Sequence, residues 1–269
     1  MKPSHCARAL AGAALLAAAT APAAAHEGAS PPPAAQDANG YAEVVHWPDW
    51  TGIWYPDWSA LFSGREAAKP QLTPAAQAKL DAYNERIREG GPDQLAQALC
   101  LPPGVPGVMQ QPYPIEILYS PGRVTILTEA YQQVRRIYLD GRSLPEDPDL
   151  FFNGNSVGHW DGDTLVVESV GFHLATNIAP GIGHSEQMRI DERIYIDENG
   201  NLIDEMSITD PEVLTEPFLV KVAYKLDNEF PMREYVCAEN NRLRSEEGGA
   251  NIDLGLEEEE DDPFAGLDD

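Results

Sequence analysis

From Ile115 onward, short runs rich in Val, Ile and Tyr follow one another with little but turn residues between them, and this succession limits what the chain can fold into. The runs are Ile115–Tyr119, Val124–Ala130, Val134–Asp140, Thr164–Phe172, Met188–Asp197, Leu202–Thr209, Leu219–Leu226 and Met232–Cys237. β-Branched and aromatic side chains lose freedom on a helix but fit a pleated, half-buried surface, so each run is read as a strand. Asp140-Gly141, Asp161-Gly162 and Asn199-Gly200 supply the positive φ that tight hairpins require. Strands joined this closely pair antiparallel with their neighbours, and the edges left over must be paired or covered. The expected fold is therefore mainly β, an antiparallel meander closed or curled into a barrel.

One helix is expected outside it, over about residues 73–90. Thr73 caps it, Pro74 takes the first helical position, and Ala76, Leu80, Tyr83 and Ile87 recur on one face before Gly90-Gly91-Pro92 stops it. An amphipathic helix of this kind packs against something larger.

The amino-terminal segment reads as an address. Lys2 and Arg8 precede an apolar run from Ala9 to Ala19, and Ala23-Ala24-Ala25 offers a small-residue cleavage site. The expected organisation is a signal peptide over residues 1–25, a flexible Pro/Ala-rich linker over 26–40, one barrel domain over 41–244 and a disordered acidic tail over 245–269. A secreted or periplasmic location follows, and no run is long and apolar enough for a membrane-spanning helix. Cleavage removes Cys6 and leaves Cys100 and Cys237, which in an exported chain are expected to pair, two buried free thiols being the alternative. It also puts His26 at the new terminus, where amine and imidazole can bind copper.

Charge excludes one class of partner. With 44 acidic and 18 basic residues the chain carries −26, and no cluster of Lys and Arg escapes the average, so nucleic acid is not expected. Eleven of the acids lie from Ser245 onward with no Lys or Arg among them. That tail is suited to binding cations or a basic partner.

Strand alternation sorts the polar residues by face. Glu192 shares a face with Met188, Ile190, Ile194 and Ile196, and Arg135 shares one with Ile137 and Leu139. A carboxylate on an apolar face is either paired or of raised pKa, which is what a general acid or base needs. A buried Arg demands a carboxylate, and Glu192, Glu116 and Glu129 are the candidates. His184, between Gly183 and Ser185, is a candidate general base or ligand donor. Glu129, Tyr138, Trp54 and Trp160 are candidate ligand contacts, Trp54 belonging to a segment dense in aromatics from Trp47 to Phe62. His159, His173 and His184 would make a transition-metal site if neighbouring loops brought them together, although no HxH or HExxH spacing exists. There is no nucleophile elbow and no Gly-rich phosphate loop.

Taken together, the runs Cys100-Leu-Pro-Pro-Gly-Val-Pro106, Tyr113-Pro-Ile-Glu116, Arg135 to Arg142, Gly158 to Val167, Gly183-His-Ser185 and Glu234 to Arg242 resemble a large family of exported bacterial proteins of unassigned function. Both cysteines belong to that pattern, so the resemblance implies their pairing; it implies no reaction. Gly52-Ile-Trp54 ahead of a meander is also similar to the Gly-x-Trp opening of lipocalin-like barrels, which implies a barrel holding a small, largely apolar ligand. The leading expectation is an exported barrel protein binding a small organic or aromatic compound. Its chemistry would be acid/base (elimination, hydration or isomerisation), with His184, Glu192, Arg135 and Glu116 as catalytic groups. The alternatives are a metal-dependent or metal-binding protein using the three histidines or His26, and a non-catalytic carrier or surface assembly protein.

Overall fold

Buried and exposed residues alternate along the strands as the sequence pattern requires, and the strands close on themselves. The structure, a computed structural model, describes residues 40–57, 69–89, 100–237, 243–246 and 249–252. Nine strands form a closed barrel in chain order: β1 (Gly52–Pro56), β2 (Ile115–Ser120), β3 (Arg123–Thr128), β4 (Val134–Tyr138), β5 (Asn155–Asp161), β6 (Thr164–Val170), β7 (Arg189–Ile196), β8 (Leu202–Thr209) and β9 (Phe218–Leu226). The closure is the antiparallel pairing of β1 with β9, Trp54 opposite Leu226. It removes both edges, which is how a sheet of this size avoids templating other chains. A separate hairpin, β10 (Leu243–Glu246) with β11 (Gly249–Ile252), straddles the expected start of the acidic tail.

Three details differ from the expected meander. β4 and β5 run parallel, and they touch through only two residue pairs, Ile137 with Ser156 and Tyr138 with Val157. The chain between them is too long for a hairpin, so the expected turn at Asp140-Gly141 closes none and instead opens a long connection, after which β5 enters in the same direction as β4. β5 itself escaped the pattern because Asn155, Gly158, His159 and Asp161 interrupt it. Gly158 is there for space: a Cβ would lie 2.7 Å from the Val166 carbonyl oxygen and 3.1 Å from Ile137. Met232–Cys237 joins no ladder. It runs as a strap, the Arg233 amide donating to Glu129 at 2.6 Å and the Tyr235 ring meeting those of Tyr113 and Tyr131 at 5.3 and 5.0 Å. The strap ends in a disulfide from Cys237 to Cys100, Cα atoms 5.6 Å apart and 137 residues distant in sequence.

A four-residue turn, α1 (Tyr41–Val44), precedes the barrel, and the expected outer helix is α2 (Pro74–Arg88). The Thr73 hydroxyl accepts the Ala76 amide and donates to the Glu212 carbonyl, so one side chain both caps α2 and ties it to the β8–β9 loop. Ala76, Leu80 and Tyr83 are half-buried while Ile87 is exposed, so the packed face is shorter than the sequence stripe. Among the described residues no helix is long and apolar enough to cross a membrane.

Candidate functional site

The barrel interior is filled rather than hollow. Ile117, Ile126, Ile137, Val167, Ile190, Ile194, Met206 and Val222 are all 2% exposed or less and belong to one core. Within it lies a charged cluster. Arg135 on β4 forks onto Glu192 on β7, Nη1 donating to Oε1 at 2.9 Å and Nη2 to Oε2, both side chains wholly buried. Nη2 also faces Ser169 Oγ at 3.3 Å, and Ser169 Oγ lies 2.7 Å from Ser156 Oγ across the β5–β6 pair. Arg135 therefore selects Glu192 among its three expected partners. Glu116 falls on the outward face between Ile115 and Ile117, and Glu129 lies past the end of β3, where it holds the strap. Neither reaches the interior.

Asp204 was missed from the sequence, yet the alternation that exposed Glu192 applies to it equally. It shares the inward face of β8 with Leu202, Met206 and Ile208 and is 1% exposed. Neither carboxyl oxygen has a hydrogen-bond partner among the described residues. Burial, and after it the charge of Glu192, push the Asp204 carboxyl well above the usual carboxylate range, against a smaller opposing pull from Arg135. Glu192 already occupies both terminal nitrogens of Arg135, so ionised Asp204 would be a buried charge without a counter-ion; the neutral acid is the stable form. Burial and Asp204 likewise raise the Tyr224 hydroxyl, which donates to the Met109 carbonyl.

The histidines do not converge. His159 pairs with Val166 near the Asp161–Gly162 turn, whereas His173 lies beyond Val170 at the other end of that hairpin. Seven residues of strand and its extension separate the two levels, about 20 Å. Among the described residues no group of three or more His, Cys, Asp or Glu is placed to hold a metal ion. His184 does meet the His173 backbone, but its ring is occupied: Nδ1 lies 2.7 Å from the Ser185 carbonyl oxygen and Nε2 lies 2.7 Å from Thr176 Oγ1 and 3.1 Å from the His173 carbonyl oxygen. Both ring nitrogens are taken up, Nδ1 by the Ser185 carbonyl and Nε2 by Thr176 and the His173 carbonyl. The imidazole thus ties two loops together, and Ser185 is held in turn by Asp210 through backbone and hydroxyl at 2.6 and 2.9 Å. His26 lies outside the described residues.

Trp54 is a core residue: it is 3% exposed, with its indole N–H donating to the Trp50 carbonyl at 2.8 Å. Trp160 packs on Trp50 and Trp47 with ring centroids 4.8 and 6.1 Å apart and lines a shallow cleft of about 380 Å³ with His46 and His159.

The largest of the described clefts, about 630 Å³, lies outside the barrel along the β4–β5 seam. Two-pair contact leaves a trough there between Arg136 and Tyr138 on the outward face of β4 and Asn155 and Val157 on β5, walled by Arg142, Phe151 and Phe152. Tyr138 is the expected ligand contact that reaches it. Arg142 lies over the Tyr138 ring, guanidinium carbon 3.8 Å from the centroid, and is gripped by Asp140 through Nε at 2.9 and 3.0 Å and through Nη2. Arg136 forms no ion pair among the described residues, and neither it nor Arg142 was singled out from the sequence. Arg135 and Asp204 line none of the clefts described here. No protein-family model matches this chain, and neither does any curated protein.

Proposed function

We propose that this is an exported protein that binds a small organic anion in the cleft along the β4–β5 seam. One observation carries the reading: in a chain of charge −26, where acids outnumber bases by more than two to one, Arg136 stands in a ligand-sized cleft with no carboxylate paired to it among the described residues. A guanidinium left uncompensated among so many carboxylates is suited to a carboxylate from outside, and its planar fork favours two-point binding. Its aromatic walls, Tyr138, Phe151 and Phe152, with a few polar groups among them, are of the kind small-molecule sites use. Calorimetric titration of the purified chain with simple organic carboxylates tests this. Binding should weaken about 10- to 100-fold in Arg136→Ala, the worth of a charge-assisted pair; an unchanged isotherm in a folded variant would sink the reading.

A second reading, acid/base chemistry inside the barrel, is favoured by one observation. A carboxyl held neutral and a carboxylate held by Arg135 share the interior, and such divided carboxyls are what acid and base roles need. It requires the sealed interior to admit a substrate. Glu192→Gln preserves the shape of the side chain, so a folded Gln variant with unaltered turnover of any compound found to be processed would remove this reading.

A further inference from the structure

The two arginines of the seam cleft do different work. Arg142 is neutralised by Asp140, fixed in plane by the hydrogen bonds from its Nε and Nη2, and backed on one face by the Tyr138 ring. Its side chain is nevertheless 51% exposed. What it offers to the cleft is therefore a flat, delocalised surface rather than a net charge. Arg136 is the reverse, charged and without a partner ion among the described residues. It sits two residues before Tyr138 on the same outward face of β4, so the two backbone positions lie about 7 Å apart. Phe151, 52% exposed, adds a second aromatic wall to the same cleft.

A guanidinium stacks on aromatic planes through both faces, and here one face is used. We infer that the ligand of this cleft is a planar aromatic carboxylate, its acid group anchored by Arg136 and its ring laid on the Arg142–Tyr138 stack. The inference rests on the anion-binding reading above and adds the shape of the ligand. Arg136 sets whether a carboxylate binds at all; Arg142 and Tyr138 set which one. Stacking on a surface already fixed by Asp140 orders nothing new, so discrimination comes without a large entropic cost.

The experiment compares benzoate and 2-naphthoate with cyclohexanecarboxylate, which matches benzoate in size and charge but is puckered. On the full chain, the aromatic acids should bind about tenfold more tightly than cyclohexanecarboxylate. Arg142→Gln combined with Asp140→Asn, which removes the guanidinium plane without leaving an unpaired carboxylate beside the cleft, should bring that ratio close to one, and Tyr138→Leu should act in the same direction. Arg136→Ala should weaken all three acids by a similar factor, with partial recovery in Arg136→Lys. Equal binding of planar and puckered acids, still dependent on Arg136, would overturn the planar-ligand inference and leave the anion cleft standing. No binding of any of the three would remove both.

Discussion

A single buried side chain can decide how a protein responds to pH, and Asp204, with no hydrogen-bond partner among the described residues, is that side chain here. Its carboxyl is raised in the folded barrel by burial and by Glu192. Unfolded, it returns to about 3.9. The folded state therefore holds the proton more tightly than the unfolded state, and stability falls as pH rises from the unfolded value through the folded one. The groups that face Asp204 are Arg135 from β4, Glu192 from β7 and Tyr224 from β9, with Glu205 beside it on β8. Asp204→Asn keeps the shape and cannot ionise. Thermal melts are expected to show this variant gaining on the parent as pH is raised from 5 to 9, with a shallower dependence of Tm on pH; parallel curves would show that Asp204 is not the group responsible.

At the scale of elements, the interesting positions are where one piece of secondary structure is held by another. Removing the Thr73 hydroxyl loses two bonds at once, the cap to Ala76 at 3.3 Å and the tie to Glu212 at 2.9 Å. Thr73→Ala should cost about 1–2 kcal/mol, read as a lower urea midpoint at unchanged slope, with Thr73→Ser recovering most of it. The helix and its cap were legible because caps are local chemistry: Thr73-Pro74 fixes the start whatever surrounds it. Glu192 facing inward was legible for the same kind of reason, since alternation needs only the strand. β5 was not, because Gly158 is selected by Ile137, Leu139 and the Val166 carbonyl, which lie on, or directly follow, the strands on either side of β5 and are not the residues beside Gly158 in the chain. The parallel β4–β5 seam, and with it the cleft, depends on where a long connection returns, which no local pattern states.

For the whole molecule, barrel closure and the disulfide act together. The bridge from Cys100 to Cys237 closes a loop spanning most of the barrel and pins the end of the strap. With the cysteines 137 positions apart in sequence, the chain-entropy relation gives about 5 kcal/mol of stabilisation through the unfolded state. Chain recovered from exporting cells is expected to have an intact mass that begins at His26 and is two hydrogens short of the dithiol form. Replacing Cys100 and Cys237 by Ser should lower the unfolding free energy by about 2–5 kcal/mol in denaturant titration.

Strand content, the hairpin turns at Asp161-Gly162 and Asn199-Gly200, the helix with its cap, the acidic balance and the inward face of Glu192 are properties of neighbours a few residues apart, and the sequence by itself determined them. Tertiary structure alone decided which carboxylate meets Arg135, because Glu192, Glu116 and Glu129 are equivalent until the barrel closes. It separated the three histidines to opposite ends of a hairpin and set His184 between two carbonyls. It also placed Arg136 in a trough that exists only because β4 and β5 run parallel and scarcely touch. Burial and direction are read from periodicity; partnership is a matter of distance between residues far apart in the chain, and only the closed barrel fixes it.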